Sequence, residues 1–325
     1  MRIARVIGVM GLLVASTGGC AGTGSSGSAQ SMTLYTCASA NVEEAIVKGF
    51  EAAHAGTTVN VFRAPTGQLN ARVAADQRSG GIQADVIWAC DPLTMYGYDS
   101  QQLLREWSPP NASEIPSSYR TPHFVGIAVL YVVPVVRKGT PVPAAWADLA
   151  TPAYAGKVAL PSPSFAASAL GTLGYFASAP GYGMDYYRKL KSNGAVQVNA
   201  PGDALTGVEQ GSYQVGVTLA NAAYTAQRKG SPVQVVWPKP GGIAIYGPIG
   251  LTTKKQASPL AEQFAAYAAS RAGQQVMAGQ DTYVTIPGLG GPPIPAGSPT
   301  VSPDWAGLST QYKSVLADYV AIFGS

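Results

Sequence analysis

The chain has 325 residues, of which 46% are hydrophobic and 12% are charged. This composition predicts a folded protein and excludes a disordered one, and a chain of this length favours two lobes over a single compact core. Because the formal net charge is only +4 and no run of basic residues is longer than a pair such as Lys254 and Lys255, no nucleic-acid partner is expected.

Residues 1–19 have the pattern of an export signal. Arg2 and Arg5 precede an apolar run over residues 6–15, and small residues follow. The run is shorter than the roughly 20 apolar residues that a membrane-spanning helix needs. Removal of this segment takes away two basic residues and no acidic one, so the net charge falls from +4 to +2. A charge so close to neutral does not point to a class of partner.

Cys20 follows this signal directly and opens a Gly/Ser-rich segment over residues 20–31. The junction resembles the lipobox of bacterial lipoproteins, in which the cysteine becomes the N-terminus and carries the lipid, although Thr17 stands where that family usually has an aliphatic residue. The resemblance implies lipidation of Cys20, a flexible tether over residues 20–31 and attachment to the outer face of the cytoplasmic membrane. The alternative is ordinary secretion, with cleavage near Ala21 or Ala29.

Strands and helices alternate from residue 32 onwards. Residues 32–36, 57–63 and 84–89 are short β-rich runs, and residues 41–56 and 68–80 between them have apolar residues at helical spacing. This order predicts a parallel sheet with right-handed crossovers, in which ligands gather beyond the carboxyl ends of the strands. The loops at these ends are candidates for one wall of a site: residues 36–41, 64–68 and 90–94.

The pattern changes after residue 124. Residues 125–137 form an extended apolar stretch that could carry the chain into a second lobe, and residues 241–253 form another that could return it. A helix is predicted from residue 167 to 176 and a strand over residues 213–218. Two amphipathic helices are predicted after the return, over residues 258–278 and 305–323.

Four segments carry a resemblance to a known family. They are LYTCASANVEEAIVKGFEAAHAGTTVNV, QADVIWACD, WADLATPAYAGKVALPSPS and EQGSYQVGVTLANAAY. In this order and spacing they resemble the periplasmic substrate-binding proteins of ABC importers, in the subgroup that includes ferric-iron and aminoethylphosphonate binders. The resemblance implies an α/β, two-lobed periplasmic-binding-protein fold of type II, with two crossing strands and a ligand cleft that closes by hinge motion. Lobe one would comprise residues 32–124 and 243–325, and lobe two residues 125–242.

The function implied by the resemblance is that of an extracytoplasmic solute-binding lipoprotein that delivers a small ligand to the permease of an ABC importer. No cofactor is expected, and the protein is expected to be a monomer. Enzymatic activity is not expected, because His54 and His123 fit neither a nucleophile elbow nor an HExxH spacing. Tyr186 and Tyr187, on a predicted helix, are interpreted as packing and surface residues. An exported enzyme on the same fold and a structural cell-wall lipoprotein are the alternatives from other classes.

The family motif for ferric iron is only half preserved. Ferric binders of this subgroup have an Asn-x-Tyr-Tyr motif whose two phenolates bind the metal, and the matching stretch here is NAAY, from Asn221 to Tyr224. One phenolate therefore remains, and the first-lobe loop over residues 37–40 offers neither His nor Tyr. Because ferric iron prefers several anionic oxygen ligands, an iron site would need an exogenous anion beside Tyr224.

The predicted cleft loops are rich in hydroxyl and amide groups. Helix N-termini beside Ser and Thr can bind anions, and Arg63 could add a charge-assisted pair, so a small oxyanion or organophosphonate is the favoured ligand. Asp91 could face a cationic ligand or cap the next helix, and the Ser, Thr and Asn residues could equally be N-caps. Phosphate esters, ferric complexes, polyamines and thiamine stay open as ligands, and no resident metal is expected. The candidate ligand-binding residues are Thr36, Ser39, Arg63, Thr66, Asp91, Ser162, Ser164, Asn199, Asn221 and Tyr224.

Lipidation of Cys20 would leave Cys37 and Cys90, an even number of cysteines in an exported protein. Each follows a strand of the first lobe, and strands one and three are neighbours if the usual order 2-1-3 holds. Their Cα atoms could then lie within the ~4.4 to 6.8 Å that a disulfide requires. A disulfide between Cys37 and Cys90 is therefore predicted, with two buried free thiols as the alternative.

Overall fold

The computed structural model of the chain describes residues 30–324, and strands and helices alternate through most of this range. The strands are β1 (Gln30–Thr36), β2 (Thr57–Arg63), β3 (Val86–Trp88), β4 (Phe124–Arg137), β5 (Val158–Pro161), β6 (Val196–Val198), β7 (Val215–Leu219), β8 (Val233–Val235), β9 (Gly242–Leu251), β10 (Tyr283–Val284) and β11 (Thr300–Val301). The helices are α1 (Ala40–Ala53), α2 (Thr66–Arg78), α3 (Pro92–Ser100), α4 (Ala167–Ser178), α5 (Gly183–Ser192), α6 (Pro201–Gln210), α7 (Ala220–Arg228), α8 (Leu260–Ala269), α9 (Arg271–Ala278) and α10 (Trp305–Phe323).

One continuous sheet runs through both lobes in the order β2-β1-β3-β9-β4-β7-β5-β6. The strands β1, β2 and β3 are mutually parallel, as are β5, β6 and β7, because a helix connects each strand to the next. The long strand β9 runs antiparallel to β3 and β4, and β4 runs antiparallel to β7. The predicted order 2-1-3 of the first three strands is present.

The strands β4 and β9 connect the two lobes. They pair from Phe124 opposite Gly250 to Val132 opposite Ile243, and every residue of β9 is buried. The first part of β4 belongs to the sheet of lobe one, and the part from Val132 onwards pairs with β7 in lobe two. These are the two predicted crossing strands, and the α/β fold class is confirmed.

The core of lobe one forms where α1, α8 and α9 pack against the sheet. Val42, Ile46 and Phe50 are buried because their helical spacing puts them on one face of α1. The Phe50 ring meets that of Phe264 on α8, with centroids 5.2 Å apart. Residues of α2 and α3 belong to a different buried cluster, which continues into lobe two.

Lobe two contains parts of two buried clusters, and the larger one is the cluster that also includes residues of α2 and α3. α4 and α5 contribute to the larger one, where Phe176 packs between Trp146 and Tyr186 with ring centroids 5.3 and 5.1 Å away. The smaller cluster lies beneath α6 and α7. Both Tyr186 and Tyr187 are buried, so they are packing residues, and the expectation that they also form surface is corrected.

The C-terminal helix α10 packs against both lobes. It contacts α3 of lobe one and also α4 and α5 of lobe two. A Cβ on Gly174 of α4 would overlap the side chain of Leu308, so the glycine permits this close approach. The assignment of residues 243–325 to lobe one therefore stays a prediction, and α10 is the part of that range that also packs on lobe two.

The predicted signal, Cys20 and most of the tether lie outside the described residues. Strand β1 begins at Gln30, so two residues that were predicted as tether are part of the sheet. Among the helices of residues 30–324, none is both long enough and apolar enough to cross a membrane.

Candidate functional site

A cleft between the lobes is lined by predicted site residues from both lobes. The N-terminal turns and one face of α2 and α3 form the wall from lobe one, and the β5–α4 loop with the start of α4 forms the wall from lobe two. Tyr312 and Leu316 of α10 close one side. The cleft has a volume of about 1110 Å³, including space that is open to solvent.

Three of the ten candidate ligand residues line this cleft. Thr66 and Asp91 come from lobe one and Ser164 comes from lobe two, so loops far apart in sequence meet here. Ser164 is exposed and Thr66 is half-buried. The remaining seven candidates do not line the cleft: Thr36, Ser39, Arg63, Ser162, Asn199, Asn221 and Tyr224.

Asp91 is the N-cap of α3 and is 3% exposed. Its carboxylate accepts hydrogen bonds from the backbone N–H and the hydroxyl of Thr94, at 2.8 and 2.9 Å. Burial raises the pKa of the Asp91 carboxyl, and the bonds from Thr94 oppose that rise. Of the two roles predicted for Asp91, the structure shows the capping role.

Thr36 and Ser162 are buried and organise the loops that they precede. The hydroxyl of Thr36 accepts a hydrogen bond from the backbone N–H of Ala38 at 3.0 Å. The hydroxyl of Ser162 accepts one from the backbone N–H of Ser164 at 3.3 Å, and Ser162 is 4% exposed. Their side chains do not reach the cleft, because each forms a local turn of the backbone beneath the loop.

Ser39 and Arg63 lie at the ends of β1 and β2, outside the cleft lining. Ser39 is the residue before α1, and its side chain makes no capping hydrogen bond. Arg63 is exposed, and its charge acts on Glu43 of α1. Burial raises the pKa of the Glu43 carboxyl, and the nearby guanidinium opposes that rise.

Two helix N-termini at the cleft have no side-chain cap. Helix α2 follows Pro65 and helix α4 follows Ala166, neither of which can accept a hydrogen bond from the first turn through its side chain. Helix α3, in contrast, has its cap in Asp91. The first backbone N–H groups of α2 and α4 therefore remain available on opposite walls of the same cleft.

Asn70 is a cleft residue that the sequence analysis missed. It lies one turn after Thr66 on α2, and its Oδ1 accepts a hydrogen bond from the hydroxyl of Tyr98 on α3 at 2.5 Å. This contact fixes the amide and leaves its two N–H donors free. The spacing of four residues from Thr66 was the available signal, because residues four apart share one face of a helix.

The described residues that line the cleft include no Lys, Arg or His. A ligand in the cleft would meet neutral donors: helix N–H groups, hydroxyls and the amide of Asn70. The carboxyl group of Asp91 is the acidic group of the cleft lining, but it already accepts two hydrogen bonds from Thr94 within the protein. The hydroxyl hydrogen of Thr94 points to Asp91, so this hydroxyl can only accept from a ligand.

Tyr224 lies in an aromatic cluster on the lobe-two side of the crossing strands. Its hydroxyl accepts a hydrogen bond from Nε1 of Trp237 at 2.9 Å. The ring of Tyr131 on β4 lies 5.4 Å from that of Trp237 and 4.8 Å from that of Tyr283. Burial raises the pKa of Tyr131 to about 12. Asn221 is half-buried in the first turn of α7, one turn before Tyr224.

Cys37 and Cys90 form a disulfide in the structure, with Cα atoms 5.8 Å apart. Thr36 pairs with Trp88 across β1 and β3, which brings the ends of these two strands together. The disulfide therefore links the loop before α1 to the loop before α3, directly beside Asp91.

Within residues 30–324, no group of three or more His, Cys, Asp or Glu side chains is arranged to hold a metal ion. The two histidines have other contacts. His54 follows α1 and stacks on Phe50 with ring centroids 4.2 Å apart, and Nδ1 of His123 lies 2.9 Å from a carboxylate oxygen of Asp99.

Comparisons with known proteins agree with this architecture. Residues 32–280, more than half of the chain, match the model of a family described as "Bacterial extracellular solute-binding protein". Iron-bound HitA from Pseudomonas aeruginosa is similar in structure, with a TM-score of 0.77, 20% sequence identity and coverage of 89% of this chain and 99% of that one. A search of curated proteins finds no match.

Two further solved structures share the fold. AfuA from Actinobacillus pleuropneumoniae, with exogenous fructose-6-phosphate bound, has a TM-score of 0.76 and 18% identity over 90% of this chain and 98% of that one. The apo ferric ion-binding protein A from Pasteurella haemolytica has a TM-score of 0.77 and 17% identity over 90% and 98%. At these identities the similarity demonstrates the two-lobed binding-protein fold, which is the predicted one.

Proposed function

Because the chain belongs to the family of bacterial extracellular solute-binding proteins, we propose that it binds a small oxyanion or organophosphonate in this cleft and delivers it to the permease of an ABC importer. Solute binding outside the cytoplasm follows from the family. The ligand class is inferred from the chemistry of the cleft.

The observation that carries the proposal is the pair of uncapped helix N-termini, those of α2 and α4, on opposite walls of one cleft. Each N-terminus has backbone N–H groups without intrahelical partners and the positive end of a helix dipole. A ligand that carries anionic oxygens can accept from both ends at once. Its binding would hold the two lobes together, because one end belongs to each lobe.

Side chains at these two ends add donors for the same ligand. Thr66 begins α2, Asn70 presents its amide N–H groups one turn later, and Ser164 precedes α4. Each of these groups is neutral, so they recognise an anion through hydrogen bonds without the strong charge pairing that an Arg would provide. Helix α3 is not part of this set, because its N-terminus already has a carboxylate cap in Asp91.

Asn221 and Tyr224 are proposed to reach the ligand when the lobes close. Tyr224 uses an oxygen lone pair for Trp237, so its hydroxyl hydrogen is available to donate to an anion. A metal site would instead require the ionised phenolate. A Tyr224 hydroxyl that donates to the ligand therefore matches an anion and not ferric iron.

The test is isothermal titration of the chain from residue 30 with methylphosphonate, aminoethylphosphonate and a phosphate ester. Ser164→Ala and Asn70→Ala should each weaken binding by about 10- to 150-fold, as for a lost hydrogen bond to a charged group. Asn199→Ala is the matched control, because Asn199 is an exposed loop residue outside the cleft. Equal effects of Asn199→Ala and Asn70→Ala would contradict the proposed site.

Ferric iron is the second candidate, because Tyr224 occupies a tyrosine position of the iron motif. A ferric site would give a visible tyrosinate-to-iron charge-transfer band that disappears in Tyr224→Phe. If the wild type shows that band with a ferric complex, and no phosphonate or phosphate ester shifts its melting temperature, the anion proposal is wrong. Under the anion proposal, Tyr224→Phe should weaken phosphonate binding by about 10- to 150-fold. Turnover of any bound compound would favour the exported enzyme.

A further inference from the structure

Phe165 is an exposed aromatic residue in the wall of the cleft. The residue is 69% exposed, the highest value among the exposed large hydrophobic residues of the described chain. It follows Ser164 in the β5–α4 loop and lines the same cleft as Thr66 and Asn70. Removing an aromatic ring from water lowers the free energy, so its exposure in a concave site indicates that a ligand covers it.

The backbone around Phe165 is held in place, so local fraying of the loop does not account for the exposed ring. The backbone N–H of Phe165 donates to the carbonyl of Ser162 at 3.1 Å, and the next N–H donates to the same carbonyl at 3.0 Å. Ser162 is buried, and its own N–H donates to the carbonyl of Val198 at 2.8 Å. Pro163 restricts the loop further.

The cleft has an apolar wall as well as polar helix ends. Leu93 of α3, Leu170 of α4 and Leu316 of α10 line it together with Phe165. An inorganic anion or a hydrated metal ion would leave these surfaces facing water. An organic anion with a hydrocarbon part can bring its charged group to the helix ends and its apolar part to this wall.

We infer that the ligand is an organic anion with an aromatic or other bulky apolar group, and that Phe165 determines specificity by packing against that group. This inference rests on the proposed function, since the anionic group is bound as described above. It adds the class of the non-anionic part of the ligand and assigns a recognition role to Phe165.

The experiment compares methylphosphonate with phenylphosphonate, which share the charged group and differ in the hydrocarbon. Covering roughly 60 Å² of apolar surface corresponds to about tenfold in affinity, so phenylphosphonate should bind the wild type about tenfold or more tightly than methylphosphonate. Phe165→Ala should reduce this ratio to within about threefold, with the larger loss for phenylphosphonate, because the mutation removes apolar contact area. Phe165→Leu should retain part of the preference.

Val142→Ala is the matched control, since Val142 is another exposed apolar residue of lobe two and lies outside the cleft lining. Equal affinities of the two phosphonates for the wild type would overturn the inference and leave the proposed function intact. A preference that survives in Phe165→Ala would also overturn it. An equal loss for both ligands in Phe165→Ala would mean that the ring acts through lobe closure, which again overturns it. If neither phosphonate binds the wild type, the proposed function fails and the inference fails with it.

Discussion

Removal of the Cys37–Cys90 disulfide should destabilise lobe one by a large and measurable amount. The two cysteines are 53 residues apart in sequence, and the enclosed chain contains α1, β2, α2 and β3. In the chain-entropy model, a closed loop of this length stabilises the folded state by about 4 kcal/mol, because the unfolded chain loses conformational freedom. The Cα separation of 5.8 Å lies inside the usual range for disulfides.

The assay uses the chain from residue 30, in which Cys37 and Cys90 are the two cysteines. Its free energy of unfolding is measured in denaturant with and without reductant, by tryptophan fluorescence. Reduction should lower the free energy of unfolding by about 4 kcal/mol. The Cys37→Ser/Cys90→Ser double variant should match the reduced wild type and should not respond to reductant.

Two results would refute this reasoning. Titration of two free thiols per chain in the unfolded, unreduced protein would show that no disulfide forms. A disulfide that is present but whose reduction changes the free energy of unfolding by less than about 1 kcal/mol would show that the reduced chain keeps the two loops together by other contacts.

Three other predictions concern charge and membrane attachment. Because burial raises the pKa of Asp91 in the folded state, its contribution to stability should be greatest at low pH and be lost as the pH rises through that folded pKa. In Asp91→Asn, the free energy of unfolding should decline less over this pH range. Parallel curves of unfolding free energy against pH for the wild type and the variant would contradict this. The Arg228–Asp281 ion pair joins α7 to the segment before β10, with a nitrogen-to-oxygen distance of 2.6 Å. Since both side chains are about half exposed, a double-mutant cycle should give a coupling free energy below about 1 kcal/mol that disappears at high salt. A coupling that survives high salt would contradict this estimate. Cys20→Ala should lose the lipid mass and move to the aqueous phase on detergent partitioning, whereas a wild type that is already aqueous would exclude the lipoprotein.

Local sequence patterns were sufficient to predict the parallel α/β sheet at the start of the chain, and the resemblance to a known family implied the two-lobed architecture. Strand and helix patterns alternate from residue 32, with apolar residues such as Ile46 and Phe50 at helical spacing. This alternation predicts a parallel α/β sheet, because a hydrophobic period of about 3.6 residues indicates a helix and a period of two indicates a strand. The long apolar stretch over residues 125–137 also became the crossing strand β4. The expected position of site loops at the carboxyl ends of strands depends on chain direction alone, and Thr66, Asp91 and Ser164 meet in the cleft for that reason.

Only the tertiary structure decided which of these polar residues face the cleft. Thr36 and Asp91 have the residue types expected of ligand contacts, but both side chains are buried and accept hydrogen bonds from their own loops. Asp91 lines the cleft and Thr36 does not. The spacing from Thr66 puts Asn70 on the same face of α2, but only the tertiary structure shows that Tyr98, from another helix, fixes its amide at the cleft. The path of α10 across both lobes and the exposure of Phe165 likewise depend on which surfaces remain uncovered after distant segments have packed, and no local pattern in the sequence specifies that.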